Sequence, residues 1–334
     1  YRYRLYPTRH QETLLRKSLE SCRLVYNKTL ELRKDAWEKD KKSISLYDSQ
    51  SYLGQWKKDQ PELKNVYSQV FQNVQVRVDL AFKAFFRRVK AGEKPGYPRF
   101  KSYGRYASFT YPQNGFKIAN GFLSLSKIGA VKIILHRELV GKIKTCTISR
   151  SATGKWYVCL SVEQDEPEPL GKSTESVGLD VGLTTFATLS NGEKIDNPKF
   201  FRQDEKALGK SQRKFSRYEK GKAPRKLRRA ISRIHERITN RRHNFAHQES
   251  RKIVNRFGII SVEDLTVNRM VGNHYLAKSI SDAAWSKFFD CLAYKAEEAG
   301  RQFVKVNPAY TSQTCSQCGY RQKLALSDRT FHCA

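Results

Sequence analysis

The chain has 334 residues, 39% of them hydrophobic, which is enough for two or three domains with real cores. Its 63 Lys and Arg against 32 Asp and Glu leave a formal net charge of +31, too large a surplus for solubility alone and suited to neutralising many phosphates. No run of about 18 apolar residues occurs and no signal-peptide pattern opens the chain, so no membrane role is expected.

Residues 1–6 alternate before Pro7, which predicts a short strand. From Gln11 to Lys90 the apolar residues recur at helical steps, including Leu14, Leu15, Leu19, Leu24, Val25 and Leu30. A second long helix is expected over Val70–Val89, with Val74, Val78, Phe82 and Phe85 on one face. Lys94–Pro98 breaks the pattern. Residues 106–164 then carry short alternating runs at Ser108–Tyr111, Phe116–Ile118, Phe122–Leu125, Ala130–Leu135, Thr145–Ser149 and Trp156–Val162, the pattern of a small β-barrel or sandwich. Asp165–Pro169 is a Pro- and Glu-rich linker.

A new domain starts near Ser176. Strands are predicted at Val177–Val181, Thr184–Leu189, Gly192–Ile195, Ile259–Val262 and Gln302–Val306. Basic helices are predicted at Phe200–Tyr218 and Arg225–Phe257, and an amphipathic helix at Ala283–Ala299. Strands alternating with helices imply an α/β layered domain.

Two acids stand at strand ends. Asp180 follows Val177-Gly178-Leu179, and Glu263 follows Ile259-Ile260-Ser261-Val262. An acid after a strand is often only a turn residue or helix cap. Two of them in so basic a chain gain weight, because carboxylates converging from neighbouring strands can hold Mg²⁺ through oxygen. Two such ions about 3.5–4 Å apart would serve phosphodiester chemistry. The residues therefore point to a metal nuclease or a polynucleotidyl transferase. Asp264, Asp282 and Asp328 are candidates by type for a third acid, but none follows a strand cleanly.

Seven cysteines are present. Cys22, Cys146, Cys159 and Cys291 sit singly in apolar patterns and are expected to be core residues in a reducing compartment. Cys315-x-x-Cys318 followed by Gly319 has the form of a zinc knuckle, with Cys333 as a further ligand and His332 a possible one. A redox Cys-x-x-Cys would need a strand-to-helix turn of a different fold. The chain lacks an initial Met and stops inside this motif, so it is expected to be part of a longer protein.

Residues 199–256 hold 20 Lys and Arg against 5 Asp and Glu. Arg228, Arg229, Arg233, Arg237, Arg241 and Arg242 recur along one helix, above an expected buried stripe of Leu227, Ile231, Ile234 and Ile238. Like charges at helical spacing repel, so a phosphate track explains them better than a solvated face. In the N-terminal helices, Tyr47, Gln50, Tyr52, Gln72, Asn73 and Gln75 could read base edges or be plain surface residues.

Gly178-Leu-Asp-Val-Gly182, Ser261-Val-Glu-Asp-Leu265, Ser279-Ile-Ser-Asp-Ala-Ala-Trp285 and the run Asn307–Gly319 fall in an order that resembles the TnpB family. These are transposon-encoded RNA-guided DNA endonucleases related to the type V CRISPR effectors. Arg4–Pro7, Arg23–Asn27 and Gly96–Phe100 fit the same family. The resemblance covers nearly the whole chain and implies a multidomain α+β protein. A β-barrel wedge domain (1–9 and 95–168) would carry an inserted helical recognition domain (10–94). A RuvC-like nuclease domain of RNase H type (169–306) would follow, then a zinc-ribbon, target-nucleic-acid-binding segment (307–334).

Asp180 and Glu263 would be the first two catalytic acids, holding Mg²⁺ in a two-metal site. The family's third acid would lie beyond Ala334. Cys315, Cys318 and Cys333 would hold structural Zn²⁺, and Tyr47, Ser51, Gln72, Asn73 and Thr110 fall near positions that read the motif beside the target. The partners implied are a guide RNA from the transposon end and double-stranded target DNA, with pairing supplying most of the specificity. A monomer with one RNA is expected, in the cytoplasm of a bacterial or archaeal cell and nucleoid-associated. The alternatives are an RNA-guided repressor that does not cut and, more weakly, a transposase that joins strands itself.

Overall fold

The computed structural model describes residues 1–322 apart from 220, 311, 312 and 316. Cys333 and Asp328 therefore lie outside the described residues. The chain divides into two compact units, Tyr1–Asp165 and a second from Glu166 onward.

In the first unit, strand β1 (Arg2–Tyr6) leads into helix α1 (Arg9–Asp40). Thr8 starts that helix with a capping box. The Gln11 backbone N–H donates to Thr8 Oγ1 (3.3 Å) and the Thr8 N–H to Gln11 Oε1 (3.0 Å). The left-handed Lys41 ends it. Helix α2 (Leu46–Asp59) repeats the device with Ser45 and Asp48, and α3 (Ser68–Lys90) follows. The helical stretch is thus three α-helices, the first two opened by capping boxes, with a 3-10 turn at Pro61–Asn65 before the third, which has no side-chain cap.

Six strands complete the unit: β2 (Ser108–Tyr111), β3 (Phe116–Ala119), β4 (Phe122–Leu125), β5 (Gly129–Ile134), β6 (Lys142–Arg150) and β7 (Trp156–Glu163). They form one sheet in the order β2-β6-β7-β1-β5-β4-β3, all pairs antiparallel. The N-terminal strand occupies the middle, and its Tyr3 and Leu5 are fully buried. Leu15, Cys22, Val25 and Leu30 of α1 and Val70, Val74 and Val78 of α3 join Phe109, Val131, Ile148 and Val158 of the sheet in one hydrophobic core. Helices and sheet of this unit therefore share their interior.

The second unit holds strands β8 (Ser176–Val181), β9 (Thr185–Leu189) and β10 (Lys194–Asp196), then helices α4 (Phe200–Ser216) and α5 (Arg225–Arg256). Strand β11 (Ile259–Glu263), helices α6 (Val267–Met270), α7 (Ala277–Ala283) and α8 (Trp285–Glu298), and strand β12 (Gln302–Val306) follow. The sheet order is β10-β9-β8-β11-β12. The first three strands are an antiparallel meander, while β11 runs parallel to both β8 and β12. Val177, Leu179, Ile260 and Val262 bury one face with Ala246, Ile253 and Val254 of α5 and Phe288, Leu292 and Ala296 of α8.

Three expectations are corrected here. The helix predicted over Ala283–Ala299 is broken at Ala284, which takes the left-handed conformation (φ 57°) between α7 and α8. The third strand starts two residues late, because Gly192 (φ +88°) is spent in the turn and its N–H donates to the Leu189 carbonyl. In α5 only Ile238 of the predicted stripe is fully buried, while Leu227, Ile231 and Ile234 are half-buried.

The entry to β11 tolerates no side chain. A Cβ at Gly258 would lie 1.8 Å from the Ser173 carbonyl oxygen. The Gly258 N–H also donates to the Glu175 carbonyl (2.8 Å), which fixes the crossing. Gly258→Ala must push these backbones apart, an overpacking cost of about 1–3 kcal/mol. The second unit is expected to melt about 3–10 °C lower in a thermal scan.

Candidate active site

Strand register brings the two predicted acids together. Val262 pairs with Leu179 in the parallel β8–β11 ladder, so the next residues, Asp180 and Glu263, stand side by side. Neighbouring strands lie about 4.8 Å apart, and alternation sends equivalent residues to the same face. Leu179 and Val262 point into the core; Asp180 and Glu263 point away from it. On the same row Asp180 pairs with Thr188 of β9, and Glu263 with Val306 of β12.

Asp180 is the unusual member. Its carboxylate has no hydrogen bond or ion pair among the described residues. Desolvation at the strand end pushes its carboxyl above the ordinary range. In a chain of net charge +31 this carboxylate stays open to a ligand from outside the protein. Two adjacent oxygen ligands fit a hard divalent cation. Among the described residues no group of three or more His, Cys, Asp or Glu converges on one point, so this pair forms part of a metal site at most.

Three other acids, Asp282, Asp264 and Asp204, are engaged within the fold. Asp282 is 6% exposed. It accepts from the backbone N–H of Phe201 (2.8 Å) and Arg202 (3.3 Å) at the start of α4, and from the Arg242 guanidinium (2.8 Å). Asp264 accepts from the Lys305 ammonium at 3.2 Å. Buried Asp204 is paired with Arg237 and, at 3.6 Å, with Arg241. Three of the six predicted phosphate-track arginines, Arg237, Arg241 and Arg242, therefore bind α5 to acids of α4 and α7. Arg228 donates to the Gly221 carbonyl. Arg229 and Arg233 have no described side-chain partner.

The cysteine segment forms a turn over the described part. The Cys315 N–H donates to the Tyr320 carbonyl (2.8 Å), the Gly319 N–H to the Cys315 carbonyl (3.0 Å), and Thr314 bridges Arg321. Gly319 takes positive φ (74°) where the turn needs it. Such a turn can aim Cys315 and Cys318 at one ion.

In the first unit, Tyr47 (82% exposed), Ser51 and Gln72 lie on the surface, and Asn73 is half-buried with its Oδ1 accepting from Arg77. Thr110 differs from expectation. It is 8% exposed, and its hydroxyl is shared between Arg77 (2.7 Å) and Thr147 (2.8 Å). Phe109, Thr110 and Tyr111 are buried in succession, so Thr110 is covered on the face opposite Phe109 and Tyr111, where its hydroxyl holds Arg77 of α3. Sequence alone gave no signal for Arg77, nor for Lys295. Burial lowers the Lys295 ammonium below its usual range, and it donates to the His247 carbonyl (2.6 Å) and Ser250 Oγ (2.8 Å).

Three family models match parts of the chain: one described as "Probable transposase" over residues 158–274, one as "Cas12f1-like, TNB domain" over 285–334, and one as "Helix-turn-helix domain" over 1–42. In this structure residues 1–42 form one strand and one unbroken helix. The chain is 39% identical to a Streptomyces pristinaespiralis protein named "Putative RNA-guided DNA endonuclease", covering 100% of this chain and 84% of that one. It is 33% identical to the Escherichia coli (strain K12) protein named "Putative RNA-guided DNA endonuclease InsQ", covering 100% and 86%. Its fold resembles a chain of the "Cryo-EM structure of the Cas12f1-sgRNA-target DNA complex", with TM-score 0.58, 14% identity, and coverage of 94% of this chain and 76% of that one. Matched over its whole length by the Streptomyces and E. coli proteins, the chain belongs to their family, the TnpB family.

Proposed function

We propose that this chain is an RNA-guided DNA endonuclease that uses a guide RNA from a transposon end, recognises double-stranded DNA beside a short motif, and hydrolyses phosphodiester bonds with Mg²⁺. The observation that carries this reading is the placement of Asp180, unpartnered among the described residues, beside Glu263 at the ends of adjacent parallel strands. An antiparallel three-strand meander continued by two parallel strands supports a RuvC-like domain of RNase H type. The names of the two whole-length relatives support RNA and DNA as partners.

Asp180 and Glu263 would hold Mg²⁺, with a third acid from outside the described residues. The bound ions supply an activated water and charge stabilisation at the phosphodiester. The chain's own part is to fix two carboxylates at one level of a rigid sheet and to keep Asp180 clear of competing cations. Cys315 and Cys318, with Cys333, would hold structural Zn²⁺. Arg228, Arg229 and Arg233 would contact phosphates, and Tyr47, Ser51, Gln72 and Asn73 would read the motif beside the target. The unit is one protein with one RNA in the cytoplasm of a bacterial or archaeal cell.

The test is co-expression with the flanking transposon-end RNA. The purified complex then meets a plasmid library whose target is followed by randomised bases. Guide-dependent cutting beside one enriched flank, abolished by EDTA, is expected. Retained RNA and target binding without cutting would identify a repressor instead. Absence of co-purifying RNA would overturn the assignment altogether.

A further inference from the structure

In the first unit, a cavity of about 510 Å³ is lined by residues that include Arg16, Glu20, Tyr103, Arg105 and Arg150. A second, of about 310 Å³, is lined by Tyr26, Arg77, Lys101 and Ser108 among others. The two share Arg105, Tyr106 and Ala107 as a common wall. Both volumes fall in the range of roughly 300–1,000 Å³ in which single organic ligands are held.

The shared wall is a loop fixed at both ends. The Lys101 N–H donates to Asn27 Oδ1 (2.8 Å), and its carbonyl accepts from Asn27 Nδ2 and Arg23. At the other end Arg77 donates to the Ser108 carbonyl (2.8 Å). Between these clamps a turn closes from the Arg105 N–H to the Ser102 carbonyl, with Gly104 at positive φ (72°). Its tip presents Tyr103, 83% exposed. The Arg105 guanidinium has no hydrogen bond or ion pair among the described residues.

Charge around the loop is one-sided. Arg16, Arg77, Lys101, Arg105 and Arg150 line the two cavities with Glu20 as their only acid; Glu20 is paired by Arg23, Arg16 is paired with Glu12 and Arg77 is held by Ser108 and Thr110, which leaves Lys101 and Arg105 as the cations offered to a ligand. A turn held at both ends that exposes a phenol ring at the rim of the larger hollow, with Arg105 shared by both, matches the physics of single-strand binding. Cations hold the backbone, and an aromatic face takes a base that is not stacked in a duplex.

We propose that these paired cavities seat consecutive unpaired nucleotides of a bound strand, one base stacked on Tyr103 and the adjoining phosphate held by Arg105. This rests on the nucleic-acid reading above but not on the acid pair. The strand can belong to the guide RNA or to opened target DNA, and the chemistry of the seat is the same for both.

The test is photocrosslinking of the full chain to a short oligouridine carrying one 5-iodouridine, to its deoxy counterpart, and to the duplex of each, with adducts mapped by peptide mass. A Tyr103 adduct from single strands and not from duplexes is expected. Tyr103→Phe keeps it, and Arg105→Ala lowers its yield about fivefold or more, the effect of losing one charge-assisted hydrogen bond. The stronger of the RNA and DNA adducts identifies the source. Adducts confined to other residues, equal labelling by duplex, or an unchanged yield in Arg105→Ala would each overturn the seat. Guided cutting without a Tyr103 adduct would reject the seat alone, and a Tyr103 adduct without cutting would reject only the nuclease assignment.

Discussion

Asp180→Asn is expected to cut guided DNA about a thousandfold more slowly than the parent while still retaining guide RNA and target. The substitution keeps the volume and would remove one anionic oxygen ligand of the proposed Mg²⁺ site, a loss of several kcal/mol of charge stabilisation at roughly tenfold per 1.4 kcal/mol. A stability readout separates this from a folding defect. Desolvation raises the Asp180 carboxyl in the folded chain above its unfolded value near 3.9. Below that unfolded value the group is protonated in both states and costs nothing. As pH rises through the window up to the raised folded value, the folded state loses stability relative to the unfolded one, and the loss persists at neutral pH. In metal-free buffer at pH 7 the Asn variant is therefore expected to melt above the parent, an advantage that disappears below about pH 4. Mg²⁺ should raise the Tm of the parent and leave the variant where it is. A variant that cuts at the parent rate, or that melts below the parent at pH 7, removes Asp180 from the role assigned to it.

Asp282→Ala is expected to be the most destabilising single substitution in the second unit. It strips the start of α4 of two hydrogen bonds and leaves the Arg242 guanidinium half-buried without its counter-ion. Breaking such a pair from one side costs about 3–5 kcal/mol. That corresponds to a Tm lower by about 6–20 °C for a unit of this size. Adding Arg242→Met to the same chain should recover part of the loss, because the orphaned charge is then gone. Differential scanning calorimetry of the two variants decides it. Equal melting of the single and double variants would show that the cost lies in the cap and not in the charge.

Much of this architecture was legible because local pattern and global fold agree. The alternating runs at Ser108–Tyr111 and Phe122–Leu125 became strands with the predicted bounds, since period-two alternation and flanking Gly or Asn pointed the same way. Asp180 and Glu263 were legible as candidates because each follows an apolar strand. That they stand side by side was not, since parallel pairing across two intervening helices leaves no local trace. The surroundings of Asp282 and Thr110 were not legible for a related reason. Residue type names what a side chain can do, while burial and the partner brought from elsewhere decide what it does. Arg237, Arg241 and Arg242 read as a phosphate track on their own helix, and only the fold supplies Asp204 and Asp282 opposite them. The resemblance to the TnpB family supplied what pattern could not, the expected partners and the roles of the acids.

The central place of β1 in the first sheet carries a consequence for biosynthesis. Both of its neighbours, β5 and β7, come more than a hundred residues later in the chain. At synthesis rates of about 5–20 residues per second, the first strand waits on the order of ten seconds for partners that close over it. During that interval the apolar faces of α1 and β1 are in water, and their contacts have the large sequence separation that slows folding. Slowed translation between Gly129 and Glu163 would lengthen that exposure, and the yield of soluble chain should be most sensitive to codon choice there.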